Sequence, residues 1–231
     1  MIEIKDYTTK TPLQMIGEFA GICWGANTKD SEKNIKRALD CIVSGHERVE
    51  EFPEVYVVLD GYSAKCIREL YTHIGGAPTR LQASTRYIDY EKKGVPVVTP
   101  PSIANNELAK EAWDETIEAI KRGMKALKAL GVPNEDVTNL LPLAYQTKMV
   151  WRVNLRTLVH FMNMRLCSRA YWEIRSLSND LKKALSNYSD EWKIICDNLF
   201  VPKCEVSGYC TETKCCGRKP QKQKEINVSW S

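Results

Sequence analysis

A change of period constrains this chain more than any other feature. Apolar residues recur at helical spacing along most of its length, and the run EVYVVLDG, Glu54 to Gly61, breaks that rhythm with a β-rich segment closed by a turn dipeptide. Helical stripes need an apolar face to bury against, and a strand needs neighbours. The order of elements therefore predicts an α+β fold: a helix-rich single domain with a small mixed or antiparallel sheet, this strand central in it. Thr11, Pro12 and the stripe Leu13, Ile16, Phe19, Ala20, Cys23 predict a capped first helix. Asp30 or Ser31 caps a second, with Ile35, Leu39, Ile42 and Val43 on one face and Gly45 ending it in the left-handed conformation. A third runs through Ile67, Leu70, Tyr71 and Ile74 to Gly75 and Gly76.

Residues 77–101 hold Pro78, Gly94, Pro96, Pro100 and Pro101, too many breakers for a long element, and an ordered loop of that length points to function. From Ser102 to Gly131 the stripe Leu108, Trp113, Ile117, Ile120, Met124, Leu127, Leu130 predicts one helix of close to thirty residues. MVWRV reads as a short extended segment. Asn154 then caps a helix carrying Leu155, Leu158, Val159, Met162 and Leu166, and further helices cover Ala170–Leu185 and the run EWKIICDNLF. The expected organisation is a main domain over residues 1–200 and a Cys-rich basic extension over 201–231.

Composition narrows the class. With 43% hydrophobic and 27% charged residues, the 231-residue chain can bury a sizeable core. A net charge of only +4 announces no nucleic-acid surface. No apolar stretch nears the roughly 20 residues of a membrane span, and the start MIEIKDYTTKTP lacks the layout of a signal peptide. Of nine cysteines, Cys23, Cys41, Cys66, Cys167 and Cys196 are scattered through apolar segments as buried free thiols would be, which fits a cytoplasmic protein.

Two constellations carry chemistry. PTRLQASTRYIDY, Pro78 to Tyr90, packs Arg80, Gln82, Ser84, Thr85 and Arg86 into one loop. Guanidiniums grip phosphate bidentately and an amide offers a donor and an acceptor to a base edge, so the set suits a planar anion; a solvated polar loop is the competing reading. In NLRTLVHFMNMRLCSRAYWEIRSL, Arg156 and His160 are four apart and project from one side of a helix, where they can meet that loop. A salt-bridged helix surface is the alternative there.

LQASTRY (Leu81–Tyr87), NLRTLVHF (Asn154–Phe161) and WEIR (Trp172–Arg175), in that order, resemble the flavin-dependent thymidylate synthases. TPLQMIGEFAGICW and SGHERVEEF resemble that family's amino-terminal helix and Gly-His-Glu segment. The resemblance implies the family's α+β fold and a homotetramer whose active sites draw on several subunits. The implied reaction is reductive methylation of dUMP, with methylenetetrahydrofolate as carbon donor and FAD, reduced by NADPH, as hydride source. By the same resemblance Gln82, Ala83, Ser84, Thr85 and Arg86 form the dUMP tract, joined by Arg156. Glu69 stands where the family often has a nucleotide-contacting Gln. His73, Arg80, His160 and Arg175 fall to FAD or folate. Lys183 takes the place of an arginine that favours ionisation at uracil N3.

The family's Arg-His-Arg triplet is represented here by Thr72-His73-Ile74, both arginines missing, with Arg80 a replacement cation. That departure leaves room for a homologue modifying another pyrimidine nucleotide, or one that binds nucleotide without catalysis. His73 is read equally as a structural histidine, and His46 as a capping or surface residue. At the carboxyl end Cys204, Cys210, Cys215 and Cys216 offer four thiolates for tetrahedral zinc, although no Cys-x-x-Cys pair is present and the adjacent Cys215 and Cys216 are awkward ligands. A redox pair or free thiols are the alternatives. The tail from Gly217 is expected to be mobile and solvated.

Overall fold

In the computed structural model, which describes residues 1–73 and 78–222, strands β1 (Ile2–Ile4), β2 (Glu54–Ser63), β3 (Thr79–Gln82) and β4 (Gln146–Asn154) form one antiparallel sheet in the order β1-β2-β4-β3. The α+β expectation holds, and β2 is an inner strand. Val55, Val57 and Leu59 are fully buried on it. MVWRV is part of the nine-residue β4, where Met149, Trp151 and Val153 are buried and the residues between them are not, the period-2 signature of a half-buried strand.

The chain divides into two compact units. The first comprises Met1–Glu3, Val57–Thr72 and Thr79–Trp151; the second comprises Ile4–Tyr56, His73–Pro78 and Arg152–Ser231. Residue 200, the expected domain boundary, is internal to the second unit. The expected glycine stop at Gly75 and Gly76, and the tail from Gln223 onward, lie outside the described residues.

In the first unit, Ser63 caps α3 (Ala64–Leu70) by accepting from the Cys66 N–H at 3.1 Å. Next come α4 (Tyr90–Lys93), α5 (Pro101–Ala104), α6 (Glu107–Ala129) and α7 (Asn134–Val137), the last running into a 3-10 turn, Thr138–Leu140. The single long helix expected from Ser102 is broken. Asn106 accepts from the Ala109 N–H at 3.1 Å and restarts the chain as α6, because a side chain that caps competes with helix continuation. Only Ile117 and Met124 of the predicted stripe are buried. Met124 packs with Tyr90, Val95 and Val137, while Leu108 and Leu130 are exposed.

The second unit holds α1 (Pro12–Cys23), α2 (Ser31–Val43), a 3-10 turn Glu47–Glu51, α8 (Leu155–Arg165), α9 (Trp172–Ser186), α10 (Asp190–Asn198) and α11 (Lys203–Ser207). Asp30 and Asn154 cap as predicted, accepting from Lys33 N at 3.1 Å and Thr157 N at 2.9 Å. Gly45 follows α2 at φ +73°. Thr11 makes no side-chain cap. The Glu191 carboxylate accepts instead from Leu13 N at 2.7 Å and Gln14 N at 3.0 Å, a charged partner for the positive end of α1.

The inner face of α2 also differs from expectation: Asn34, Ala38 and Cys41 are buried, whereas Val43 is exposed and Leu39 largely so. The cause is Gly17. A Cβ there would lie 1.8 Å from the Asn34 carbonyl oxygen, so α1 and α2 meet backbone to backbone and only a face of small or hydrogen-bonded side chains fits between them. Of the scattered cysteines, Cys41, Cys66 and Cys196 are buried as expected, but Cys23 is exposed and Cys167 only half-buried. Among the described residues no helix is long and apolar enough to cross a membrane.

Candidate functional site

In the first unit the polar tract forms β3 and the turn after it. Its backbone is anchored. Ala83 N donates to the Lys148 carbonyl at 2.8 Å, and the Asn134 side-chain amide donates to the carbonyls of Thr85 at 3.0 Å, Arg86 at 2.9 Å and Ile88 at 3.3 Å. Ser84 Oγ accepts from Arg86 N at 3.3 Å, and Gln82 Nε2 donates to Thr147 Oγ1 at 3.3 Å. The Arg86 guanidinium is directed outward, where Nε donates to Glu135 at 3.0 Å with both side chains more than half exposed. Arg80 is turned back on its own unit, donating to the Tyr71 carbonyl at 3.0 Å and lying 4.5 Å over that ring. Glu69 is half-buried on α3.

Beside the tract is a cavity of about 350 Å³ lined by Ala83, Tyr90, Lys93, Gln146, Thr147 and Lys148. Lys148 pairs with Asp60 at 2.9 Å. Burial pushes the Tyr145 hydroxyl up from its ordinary value, against hydrogen bonds to Thr147 and Gln82. The tract thus combines a held backbone and one outward guanidinium with an amide and hydroxyls in between, groups whose chemistry can receive an anion.

The second unit has a larger cavity, about 670 Å³, walled by Phe19, Trp24, Val49 and Phe52 with His46 and Arg156 on its rim. Phe19 and Phe52 meet edge to face at 4.8 Å. Arg156, on the first turn of α8, donates to Glu51 at 2.5 Å and Glu47 at 2.9 Å. Between those two acids Glu50 is 6% exposed, and burial pushes its carboxyl up to about 7, with Glu47 adding to the rise and Arg156 opposing it. His46, exposed and preceding the 3-10 turn, is the capping or surface residue expected, and it lines this cavity as well.

His73 and His160 belong together in this unit. Their rings are 6.0 Å apart, His73 sits edge-on to Phe161 at 5.0 Å, and Arg165 Nε donates to His73 Nε2 at 3.0 Å. Burial, with Arg165 and His160 nearby, lowers His73 to about 4, so the ring is a neutral acceptor. Arg156 and His160, one helical turn apart, thus serve different neighbours: acids for one, an imidazole for the other.

Other predicted site residues are placed differently. Arg175 Nη1 donates to the carbonyls of Ser168 at 2.8 Å and Ala170 at 3.3 Å, which makes it a brace for the α8–α9 turn rather than an open cation. Lys183 is exposed near the end of α9 and does not line the aromatic cavity. The expected zinc set of Cys204, Cys210, Cys215 and Cys216 is not assembled: among the described residues no three His, Cys, Asp or Glu stand at separations that hold a metal ion. Cys215 Sγ accepts from Gly217 N and contacts the Lys219 carbonyl, both at 3.4 Å, while Cys216 bonds to the Ser168 hydroxyl.

Sequence reasoning missed Glu50 and the aromatic walls as site features. The signal was present in HERVEEF, where three acids occur within five residues and only one can be turned inward by a 3-10 turn.

Residues 3–188 match the family described as thymidylate synthase complementing protein. The chain is 33% identical to the flavin-dependent thymidylate synthase of Pyrococcus furiosus over 217 residues, covering 88% of this chain and 86% of that protein. It is also 33% identical to the enzyme of that name from Thermococcus onnurineus, covering 86% and 82%. Among solved structures, a UMP/dUMP methylase from Streptomyces cacaoi bound with 5-bromo-dUMP superimposes with a TM-score of 0.73 at 14% identity, over 87% of this chain and 96% of that one. The flavin-dependent thymidylate synthase of Helicobacter pylori complexed with FAD and dUMP gives 0.65 at 20% identity, over 84% and 98%. At such identities the two structures establish the fold alone.

Proposed function

This chain belongs to the thymidylate synthase complementing protein family, the flavin-dependent thymidylate synthases, and on that premise we propose that it makes dTMP by reductive methylation of dUMP. The observation that carries the reading is the anchored tract from Gln82 to Arg86, which keeps an amide, a hydroxyl and a guanidinium on a backbone that cannot collapse onto them. A monophosphate needs cations and a uracil ring needs fixed donors and acceptors. Arg86 and Arg156 are assigned to the phosphate, and Gln82 with Ser84 to the base, with Ala83 and Thr85 supplying backbone groups and Glu69 a flanking contact. Lys183 is assigned as the cation that favours the ionised uracil.

FAD suits the second unit's cavity. Its volume of about 670 Å³ falls in the range of roughly 300–1,000 Å³ typical of cofactor pockets, and its Phe19, Trp24 and Phe52 walls accept a flat ring. When bound, the flavin supplies the hydride, NADPH recharges it and methylenetetrahydrofolate brings the carbon. The chain's own work there is positional. His46 and Arg156, which line it, offer polar contacts, and Glu50, next in the chain to the lining residue Val49 and with its carboxyl near 7, can hold or release a proton close to neutrality. The family resemblance also implies a homotetramer whose active sites draw on several subunits, and that assembly is part of the reading.

The test is direct. The purified protein should be yellow, and with NADPH, methylenetetrahydrofolate and dUMP it should yield a nucleotide in which a methyl group has replaced one hydrogen, heavier by one CH2. Bound flavin without thymidylate would reject the reaction. Product from UMP alone would transfer the activity to another pyrimidine nucleotide, and a flavin-free, inactive protein would leave a nucleotide-binding homologue.

A further inference from the structure

Residues 202–222 hold their shape with almost nothing apolar inside. α11 buries no residue, and Cys210 is the only side chain of the segment that is fully buried. The order comes from polar contacts instead. Cys210 N donates to the Pro220 carbonyl and Lys222 N to the Cys210 carbonyl, both at 2.8 Å, closing a parallel bridge between Cys210 and Gln221. Across the loop so formed, Gln221 Nε2 donates to the Glu212 carbonyl at 2.9 Å, and Lys219 pairs with Glu205 at 2.8 Å. Small elements without a core generally depend on a further staple.

The loop brings two sulfurs together. Cys210 is tied through its backbone to the Pro220 carbonyl, and the Cys215 thiol donates to the carbonyl one residue earlier, that of Lys219, at 3.4 Å. Both cysteines are thus held against adjacent peptide units of the returning segment, and their side chains hydrogen-bond to each other. Gly217, at φ +84°, lets the chain turn back there, and its N–H donates to Cys215 Sγ at 3.4 Å. Cys216 is engaged elsewhere, accepting from the Ser168 hydroxyl on the turn between α8 and α9. These contacts single out Cys215, rather than its neighbour, as the partner of Cys210.

We infer that Cys210 and Cys215 are a redox-active pair that closes a disulfide across the carboxyl-terminal loop by exchange with a low-molecular-weight disulfide, stapling residues 202–222. Cys215 is half-buried and Cys210 buried, so Cys215 meets the reagent first. Its thiolate attacks the small disulfide, forming a mixed disulfide and expelling one small thiol. The Cys210 sulfur then attacks the Cys215 sulfur and expels the second. The protein's two thiols are oxidised, the reagent is reduced to two thiols, and the protein's thiol protons pass to the leaving sulfurs. Contact between the sulfurs in the reduced protein favours this internal disulfide over separate mixed ones, because the second step is intramolecular. Donation from the Glu212 N–H draws the Cys210 thiol down, but burial and the contact with Cys215 outweigh it and leave the thiol above its ordinary value. A thiol that stays protonated suits the second step better than the first.

The test uses the full chain, equilibrated with mixtures of oxidised and reduced glutathione, quenched with N-ethylmaleimide and digested with trypsin. Lys214 lies between the two cysteines, so the disulfide should join the peptide of residues 204–214 to that of residues 215–218, and dithiothreitol should release it. Cys210→Ser and Cys215→Ser should each lose the cross-link. Cys204→Ser and Cys216→Ser, which remove the other cysteine of each peptide, should keep it. Before denaturation, the cross-linked protein should be cut within residues 202–222 more slowly than the reduced one. A folded wild type that forms no cross-link at any glutathione ratio would overturn the inference. So would a link that survives Cys215→Ser or disappears in Cys216→Ser, and equal proteolysis of the two forms would remove the stapling role.

Discussion

In the first unit Arg86 and Glu135 pair across solvent, and the tract around them is held by its backbone, so its polar side chains can be handed to a ligand at little cost. In the second unit Glu50 is folded inward among Glu47, Glu51 and Arg156, and His73 is kept neutral beneath Arg165. One region keeps charges where water screens them. The other buries titratable groups away from their ordinary protonation states. The contrast teaches that recognition of an anion needs only a rigid edge, whereas a cavity beside an acid whose proton is loosely held near neutrality stores free energy that folding supplied.

That contrast breaks first on the pH dependence of stability. Glu50 binds its proton more tightly folded, near 7, than at its ordinary value of 4.5, so the folded state loses up to about 3 kcal/mol as pH rises between those values. His73 runs the other way. Its folded value near 4 lies below the ordinary 6.5, so stability is lost as pH falls through that window, by a smaller amount because the ring is partly exposed. The two slopes offset in the wild type between pH 4.5 and 6.5. Glu50→Gln should therefore uncover a stability that rises with pH, and His73→Gln one that falls, both read from urea midpoints. A Glu50→Gln curve parallel to the wild type would refute the buried-acid account.

The next largest effect concerns the nucleotide. Arg86→Ala and Arg156→Ala should each weaken dUMP binding by about 10- to 100-fold, the 1.5–3 kcal/mol of a charge-assisted contact, measured by equilibrium dialysis. Their effects on the protein itself should differ. Arg86→Ala leaves stability within about 0.5 kcal/mol, since its ion pair with Glu135 is exposed. Arg156→Ala removes the one cation that opposes the rise of Glu50 and should steepen the falling slope of stability with pH. Unchanged dUMP affinity in both variants would remove the nucleotide site.

The fold was legible wherever a signal was local. Asp30, Asn154 and Gly45 mark helix ends because caps and left-handed turns are decided within four residues, and EVYVVLDG reads as a strand from its own composition. The inner face of α2 was not legible, because Gly17, far earlier in the chain, selects small residues over apolar ones. The break before α6 was missed because an asparagine pair inside a regular stripe looks tolerable until Asn106 is seen capping. The site divides the same way. The tract from Gln82 to Arg86 is contiguous and could be read as a motif, whereas the aromatic cavity gathers Phe19, Phe52 and Arg156 from three distant segments, and no spacing rule connects them.

The smallest effect tests whether the exposed pair in the first unit is a resting state or part of the site. If Arg86 serves a phosphate, it must release Glu135, or share its guanidinium with a carboxylate that repels the ligand. An exposed ion pair is worth about 0–1 kcal/mol, so Glu135→Gln should tighten dUMP binding by up to about fivefold, and the gain should shrink as salt screens the repulsion. Weaker binding in Glu135→Gln would mean that the acid orients the guanidinium, and the tract would then have to be read as a preassembled ion-pair site rather than an edge that exchanges one anion for another.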